Sequence, residues 1–314
     1  MTGAPLRLGT RRSPMAIAQS TTVAEMLTAR TGRAVEIVGI TTAGDTSKAQ
    51  LTQIGGTGVF VSALRESLLT GEVDFAVHSL KDLPVGPAPA IVMAAVPPRD
   101  DPRDALIARN GAKLADLQPG ARIGTGSPRR AAQLLLMRQD LTPVPIRGNA
   151  GTRLAKITSG DVDAVVLAYA GLARIGKLDV VNQVFEPEEM LPAPGQGALA
   201  VECLASRSEV IELLSSIDDL ESRAATEAER SVLATLQAGC SAPVGAYAAG
   251  TDELRLDAIV VAADGGAALR GSISGPAAAA TRLGREMAAD LLARGADRYT
   301  DVSAGHLSYG EDAK

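Results

Sequence analysis

The chain has 314 residues, a formal charge of −5 and 46% hydrophobic residues, which is enough apolar material for two or three packed domains and too much for a disordered chain. Two cysteines cannot build a disulfide framework, and with only His78 and His306 no metal-ligand spacing appears, so no metal is expected. Aromatics make up 2% with no tryptophan, which together with the acidic balance argues against a nucleic-acid binder that stacks bases.

The opening "MTGAPLRLGTRRSPMAIAQ" has no apolar leader core, and no stretch reaches the ~18 apolar residues of a membrane span; a cytoplasmic location without a membrane partner is expected. Within that opening, "RLGTRRSPMAIAQ" (7–19) reads as a short apolar strand, Gly-Thr, and an amphipathic helix with Ser13 as N-cap and Pro14 in the first helical position. The pattern returns as "RIGTGSPRRAAQL" (122–134), with Ser127 and Pro128 in the same places. A second pair follows in the same order, "GEVDFAVHS" (71–79) and "GDVDAVVLA" (160–168), each a polar turn feeding a fully apolar strand of the kind found in buried parallel sheets. Two ordered matches predict two similar α/β lobes.

The first copy carries an insert between Ile40 and Gly71 that the second lacks. Its "TTAGDTSKAQLTQIGGTG" is rich in Gly and Thr without clear periodicity and reads as a mobile loop, 43–58, over a site. No Gly-Lys-Ser/Thr follows, so it is not a phosphate loop, and the Gly-x-Gly at 124–126 is weak evidence for a dinucleotide. Two Pro/Gly-punctuated hinges, "PPRDDPRD" (97–104) and "LPAPGQGALA" (191–200), imply that "GALAVECLA" returns to the first lobe. The resulting layout is lobe 1 over 1–98 with 197–216, lobe 2 over 102–192, and a smaller α/β domain over 218–314. In the last, a helix "LESRAATEAERSVLATLQ" precedes strands "LRLDAIVVA" and "AALRGSISG" around the turn "ADGG" and a helix over 276–295, which predicts an antiparallel sheet.

Ligands of open α/β sheets lie beyond the carboxyl ends of the strands, where helix N-termini also face. Helix ends supply only about 0.3 to 1 kcal/mol each. Arginines cluster where more is needed: Arg11 and Arg12 before one Ser-Pro helix, Arg129 and Arg130 in the other, and Arg147, Arg153 and Arg174 beyond later strands. Arginine far outnumbers lysine, which genomic base composition alone could produce, so position is the informative feature. A guanidinium fork matches a carboxylate bidentately, and the set predicts a polyanionic ligand; for any one arginine an ion pair within the protein is the alternative. "DFAVHSLKDLP" delivers Ser79, Lys81 and Asp82 to the same edge. Aligning the repeats sets Gly171 opposite Asp82, so the acid is peculiar to lobe 1. An acid repels an anionic ligand, which points to chemistry, with an internal salt bridge as the alternative. His78, inside an apolar strand, reads as a packed histidine.

"VHSLKDLP", "GTGSPRR", "IRGNAGTR", "LAYAGLARIG", "LPAPGQGALAVEC" and "LQAGCSAPVGAY", in that order across nearly the whole chain, resemble the hydroxymethylbilane synthase (porphobilinogen deaminase) family. The resemblance implies three α/β domains, the first two like the lobes of periplasmic-binding-protein-like (type II) folds. It also implies a transferase that links four porphobilinogens head to tail with loss of ammonia, and a dipyrromethane cofactor held by a thioether to Cys240. A thiol, nucleophilic and with an ordinary pKa of about 8.5, suits capture of an electrophilic methylene; Cys203, in an apolar strand, reads as inert. Matched motif by motif, the resemblance makes Asp82 catalytic. It assigns Ser79, Lys81, Ser127, Arg129 and Arg130 to the cofactor, and Arg11, Ser13, Gln19, Arg147, Arg153 and Arg174 to substrate carboxylates. It implies a monomer whose partner is the small molecule porphobilinogen. Gln53 and Thr57 stand where the family leads one to expect lysines, and Phe60 is either a packing element beside the cofactor or a core residue. The rival reading is a two-lobed receptor for a polyanion, for which neither Cys240 nor Asp82 would be required.

Overall fold

The computed structural model describes residues 4–40, 58–239 and 242–300, the side chains of 58–60 excepted. Cys240, His306, Gln53, Thr57 and the side chain of Phe60 therefore lie outside the described residues, as does loop 43–58 apart from its last residue.

Among the described residues, two of three sheets repeat one spatial strand order. The first, ordered β2-β1-β3-β10-β4, contains Leu6–Arg11 (β1), Val35–Ile40 (β2), Phe75–Ser79 (β3), Ile91–Ala95 (β4) and Leu199–Leu204 (β10). The second, β7-β6-β8-β5-β9, contains Asp104–Ala108 (β5), Arg122–Gly124 (β6), Thr142–Val144 (β7), Ala164–Ala168 (β8) and Gln183–Phe185 (β9). In each, three parallel strands are followed by one that runs against them, β10 beside β3 and β5 beside β8. Both reversed strands come straight off a segment that crosses between the sheets. The crossings therefore enter the lobes as sheet members, not as loose tethers.

The Ser-Pro motifs open helices Pro14–Thr31 and Pro128–Met137. The Ser13 hydroxyl accepts from the Ala16 N–H at 3.3 Å and the Ser127 hydroxyl from the Arg130 N–H at 3.4 Å, which satisfies donors the first helical turn leaves open. Leu8, Leu27, Phe75 and Val201 are fully buried in the first lobe, as are Leu106, Ile123, Leu134 and Phe185 in the second. Burying each such side chain is worth about 1.5 to 3 kcal/mol, so the apolar strands fix the frame on which the polar ends stand.

The third sheet is an antiparallel meander of Val244–Ala249 (β11), Glu253–Val261 (β12) and Ala268–Pro276 (β13). Helices Leu220–Thr235 and Ala280–Ala293 cover it, with Ala228, Val232, Leu283 and Leu291 in one core with Leu256 of β12. Residue 276 ends a strand; a 3-10 turn Ala277–Ala279 precedes helix Ala280–Ala293, which therefore starts later than its sequence suggests. No helix among the described residues is long and apolar enough to cross a membrane.

One buried carboxylate joins the parts. Glu229, on Leu220–Thr235 and 0% exposed, pairs with Arg99 of the first crossing at 2.6 Å. It also accepts from the backbone N–H of Gly195 in the second crossing at 2.7 Å and of Ala248 in β11 at 2.9 Å. A buried charge is tolerable only with its lone pairs filled in this way.

Candidate active site

At the end of β3 the chain turns through a 3-10 segment, Leu80–Asp82. Leu80 is fully buried and anchors the turn, while Asp82 is exposed. The Ser79 hydroxyl accepts from Gln19 Nε2 at 2.8 Å, so helix Pro14–Thr31 braces the strand end. Lys81 Nζ donates to Gln196 Oε1 at 3.2 Å. Gln196, in the second crossing and 1% exposed, donates in turn to the Pro102 carbonyl at 2.7 Å and to Asp104 Oδ1 at 2.8 Å. Asp104 opens β5 and is 0% exposed; Arg130 meets it with Nε at 3.0 Å and Nη2 at 2.8 Å, and Arg129 with Nη1 at 2.8 Å. A continuous polar chain thus runs from the lobe 1 turn through the hinge to the helix that opens at Ser127.

This chain carries surplus positive charge. Burial and the nearby Arg130 charge lower Lys81 to about 8, with Asp82 and Asp104 pulling the other way. Burial and Arg130 also lower the Arg153 guanidinium, and Asp82 opposes them. Asp82 is therefore within electrostatic reach of a cation on its own turn and of one on lobe 2 helix Ala150–Thr158. Burial raises the Asp104 carboxyl, yet the charges of Arg129 and Arg130 outweigh it and hold the group well below the usual carboxylate range. Among the described residues, four cations, Lys81, Arg129, Arg130 and Arg153, face two acids, Asp82 and Asp104. Two positive charges are left for a ligand, and a desolvated cation gains most from a carboxylate.

The sequence-predicted residues divide. Ser79, Lys81, Asp82, Arg129, Arg130 and Arg153 converge on this network, with Gln19 behind Ser79. Ser13 and Ser127 face the N-terminal turns they cap. Arg11 ends β1, half-buried, and Arg147 is exposed after β7. Arg174 is spent on the hinge, with Nε 2.8 Å from Asp100 and Nη2 2.5 Å from the Gly197 carbonyl. His78 is buried, with Nε2 3.3 Å from Glu202, a carboxylate that also takes two hydrogen bonds from Arg65. Cys203 is 0% exposed in β10 and burial pushes its thiol up to about 11, too high for a nucleophile near neutral pH. Two members of the network were missed from sequence, Asp104 and Gln196. Their signals were an acid directly before an apolar strand and an uncharged polar residue amid hinge glycines.

A family model described as "Porphobilinogen deaminase, dipyromethane cofactor binding domain" matches residues 6–212, and one described as "Porphobilinogen deaminase, C-terminal domain" matches residues 224–293. The chain belongs to the porphobilinogen deaminase family. It is 60% identical to the porphobilinogen deaminase of Thermobifida fusca (strain YX), across 97% of this chain and 99% of that one. It is 54% identical to porphobilinogen deaminase 1 of Streptomyces coelicolor across 94% and 97%, and 49% identical to the enzyme of Mycobacterium tuberculosis across 93% and 97%. Among solved structures, the methionine-binding protein MetQ aligns with 68% of this chain and 89% of its own at a TM-score of 0.45 and 12% identity. A periplasmic substrate-binding protein from Coxiella burnetii aligns with 68% and 91% at 0.42 and 17% identity.

The family's first domain is named for its dipyrromethane cofactor, and the site suits such a group. Its two rings bring acetates and propionates, and Lys81 and Arg153, desolvated and repelled by Arg130, are the cations such carboxylates would relieve.

Proposed function

We propose that the chain joins four porphobilinogens head to tail, losing ammonia at each condensation, to give the linear tetrapyrrole hydroxymethylbilane. The dipyrromethane cofactor, attached through Cys240, supplies when bound the pyrrole end on which the chain is built. Lobe 1 (1–98 with 197–216) brings Asp82 and Lys81, lobe 2 (102–192) the arginines, and the third domain (218–314) the attachment cysteine.

The observation that carries the mechanism is the placement of Asp82, an exposed carboxylate within reach of Lys81 and Arg153 and with no hydrogen bond or ion pair to its carboxylate among the described residues. Its oxygens are left to accept hydrogen bonds from pyrrole N–H groups. As the substrate's C–N bond breaks and ammonia leaves, positive charge develops on the methylene carbon and pyrrole ring, which an adjacent carboxylate stabilises. The new C–C bond forms at that methylene, and the proton released when the acceptor ring regains aromaticity goes to Asp82 or to water beside it. Lys81 and Arg153 hold side-chain carboxylates, so each ring enters in one orientation. On the same reading Arg11, Ser13, Gln19, Arg147 and Arg174 serve further substrate carboxylates, and Ser127, Arg129 and Arg130 serve the cofactor.

Intact mass after adding porphobilinogen in stoichiometric steps tests this reading. The expected protein starts above its sequence mass by two condensed pyrroles and gains increments of one porphobilinogen less ammonia. A protein at sequence mass that gains none removes the proposal. A monomer in the cytoplasm is the proposed working state, checked by light scattering against 32.1 kDa.

A further inference from the structure

Helix Leu220–Thr235 runs into the segment that carries Cys240, and from the same helix Arg230 reaches lobe 1. Arg230 Nη1 donates to the carbonyls of Leu80 at 3.2 Å and Leu83 at 2.9 Å, and Nη2 donates to that of Pro84 at 2.8 Å. These acceptors bracket Lys81 and Asp82. Among the described residues Arg230 makes no ion pair, and burial lowers its pKa, with Glu202 raising it and Arg65 lowering it further. A desolvated guanidinium committed to three neutral carbonyls is a costly way to hold a surface loop. Here it closes from outside a turn that the Leu83 N–H already closes from within, at 3.1 Å from the Leu80 carbonyl. The turn also rests on Gly195, whose φ is +76; a Cβ there would stand 3.1 Å from Leu80 Cγ and 3.3 Å from the Lys81 nitrogen.

We propose that Arg230 is a positioning residue: it locks the Leu80–Pro84 turn, and with it the Asp82 carboxylate, to the helix that leads into the cofactor-attachment segment. The turn that carries the charge-stabilising group is then held to the helix that ends five residues before the tether residue in sequence. The proposal rests on Asp82 acting in the chemistry.

The test uses cofactor-loaded, mass-verified holoenzyme carrying Arg230→Met or Arg230→Lys, each with native Asp82 and with Asp82→Asn. Single-turnover condensation and steady-state kcat and KM are read for all. A misplacement of order 1 Å costs about 100-fold, so Arg230→Met should lower the condensation rate and kcat by about 10- to 100-fold while KM moves far less. Arg230→Lys, which keeps the charge but not the fork, should recover part of the rate. With Asp82→Asn already present, Arg230→Met should add less than about 2-fold, because contributions made through one group do not add. Native kcat, an effect confined to KM, or an equal loss in the Asp82→Asn background would each overturn the proposal. Should Arg230→Met fail to fold, Arg230→Lys decides alone, an intermediate kcat supporting the proposal and a native one overturning it. A near-native rate for Asp82→Asn by itself refutes the role of Asp82, a separate result from any of these.

Discussion

Asp104→Asn preserves the shape of the residue beneath the cleft and removes its charge. Asp104 is 0% exposed and is met by Arg130 at 2.8 and 3.0 Å, Arg129 at 2.8 Å and Gln196 at 2.8 Å. An asparagine leaves one acceptor oxygen and turns N–H donors toward guanidinium and amide donors, while two buried cations lose their counter-ion. Breaking one buried pair costs about 3 to 5 kcal/mol. The two arginines share a single acid, so the loss should stay near that range instead of doubling. Against a domain stability of about 5 to 15 kcal/mol, this would leave lobe 2 folded but much more open. Three domains make a single unfolding free energy ill-defined, so the assay is native-state amide exchange resolved by strand. At about 1.4 kcal/mol per tenfold, amides of β5, β6 and β8 should exchange about 150- to 5000-fold faster, those of β11 to β13 little changed. The Asp104 carboxyl titrates below its unfolded value of about 3.9, so its stabilisation is complete above that pH and is lost as the pH falls through the folded value; the difference between the two proteins must shrink on acidification. Asp101→Asn is the control, because the Asp101–Arg103 pair is 25% and 32% exposed and worth at most about 1 kcal/mol. A change below about tenfold in the second sheet, or a gap that widens in acid, would refute the assignment of Asp104 as the charge that holds the arginines.

Two further outcomes are expected. Cys240→Ala should be purified at sequence mass without colour in acidic aldehyde reagent, whereas Cys203→Ala, which alters a fully buried thiol, should keep both cofactor mass and colour; normal loading of the first variant excludes Cys240 as the attachment point. Lys81, lowered to about 8 from an ordinary value of about 10.4, destabilises the cofactor-free protein while protonated, a penalty that is complete below pH 8 and relieved as the pH rises towards 10.4. Melting temperatures of Cys240→Ala should therefore climb relative to Cys240→Ala with Lys81→Met between pH 7 and 9.5, and parallel curves would contradict the proposed charge surplus.

The duplicated lobes were legible because their signals are local: a serine and a proline where a helix must start, and apolar runs short enough to be buried strands. β11 was not, because "VGAYAA" has mostly Ala and Gly where strands favour branched and aromatic residues, and pairing with β12 supplies what propensity does not. At the site, Ser79, Lys81 and Asp82 could be placed because a charged pair follows directly on an apolar strand. The orientation of the arginines could not, since Arg130 meets Asp104 across 26 positions and Arg174 meets Asp100 across 74. Arg230 gave no signal at all, being one more charge on a helix that reads as solvated on one face.

The same contrast ranks the arginines as ligand-binding groups. Arg174 has its fork engaged by Asp100 and the Gly197 carbonyl, and Gly197, at φ +87, is a residue whose Cβ would strike the Asp100 carbonyl, so both crossings converge on that guanidinium. Taking Arg174 for a substrate carboxylate means releasing the hinge. Arg153 by contrast donates only to the Gly148 carbonyl among the described residues, at 2.8 Å, and is lowered by burial and by Arg130, so most of its five N–H donors and its charge are uncommitted. Lys81 is in the same position, with one neutral acceptor in Gln196. The first carboxylates to enter should therefore settle on Lys81 and Arg153, the two cations within electrostatic reach of Asp82, which brings the developing positive charge of the reacting ring towards an acid that makes no ion pair among the described residues.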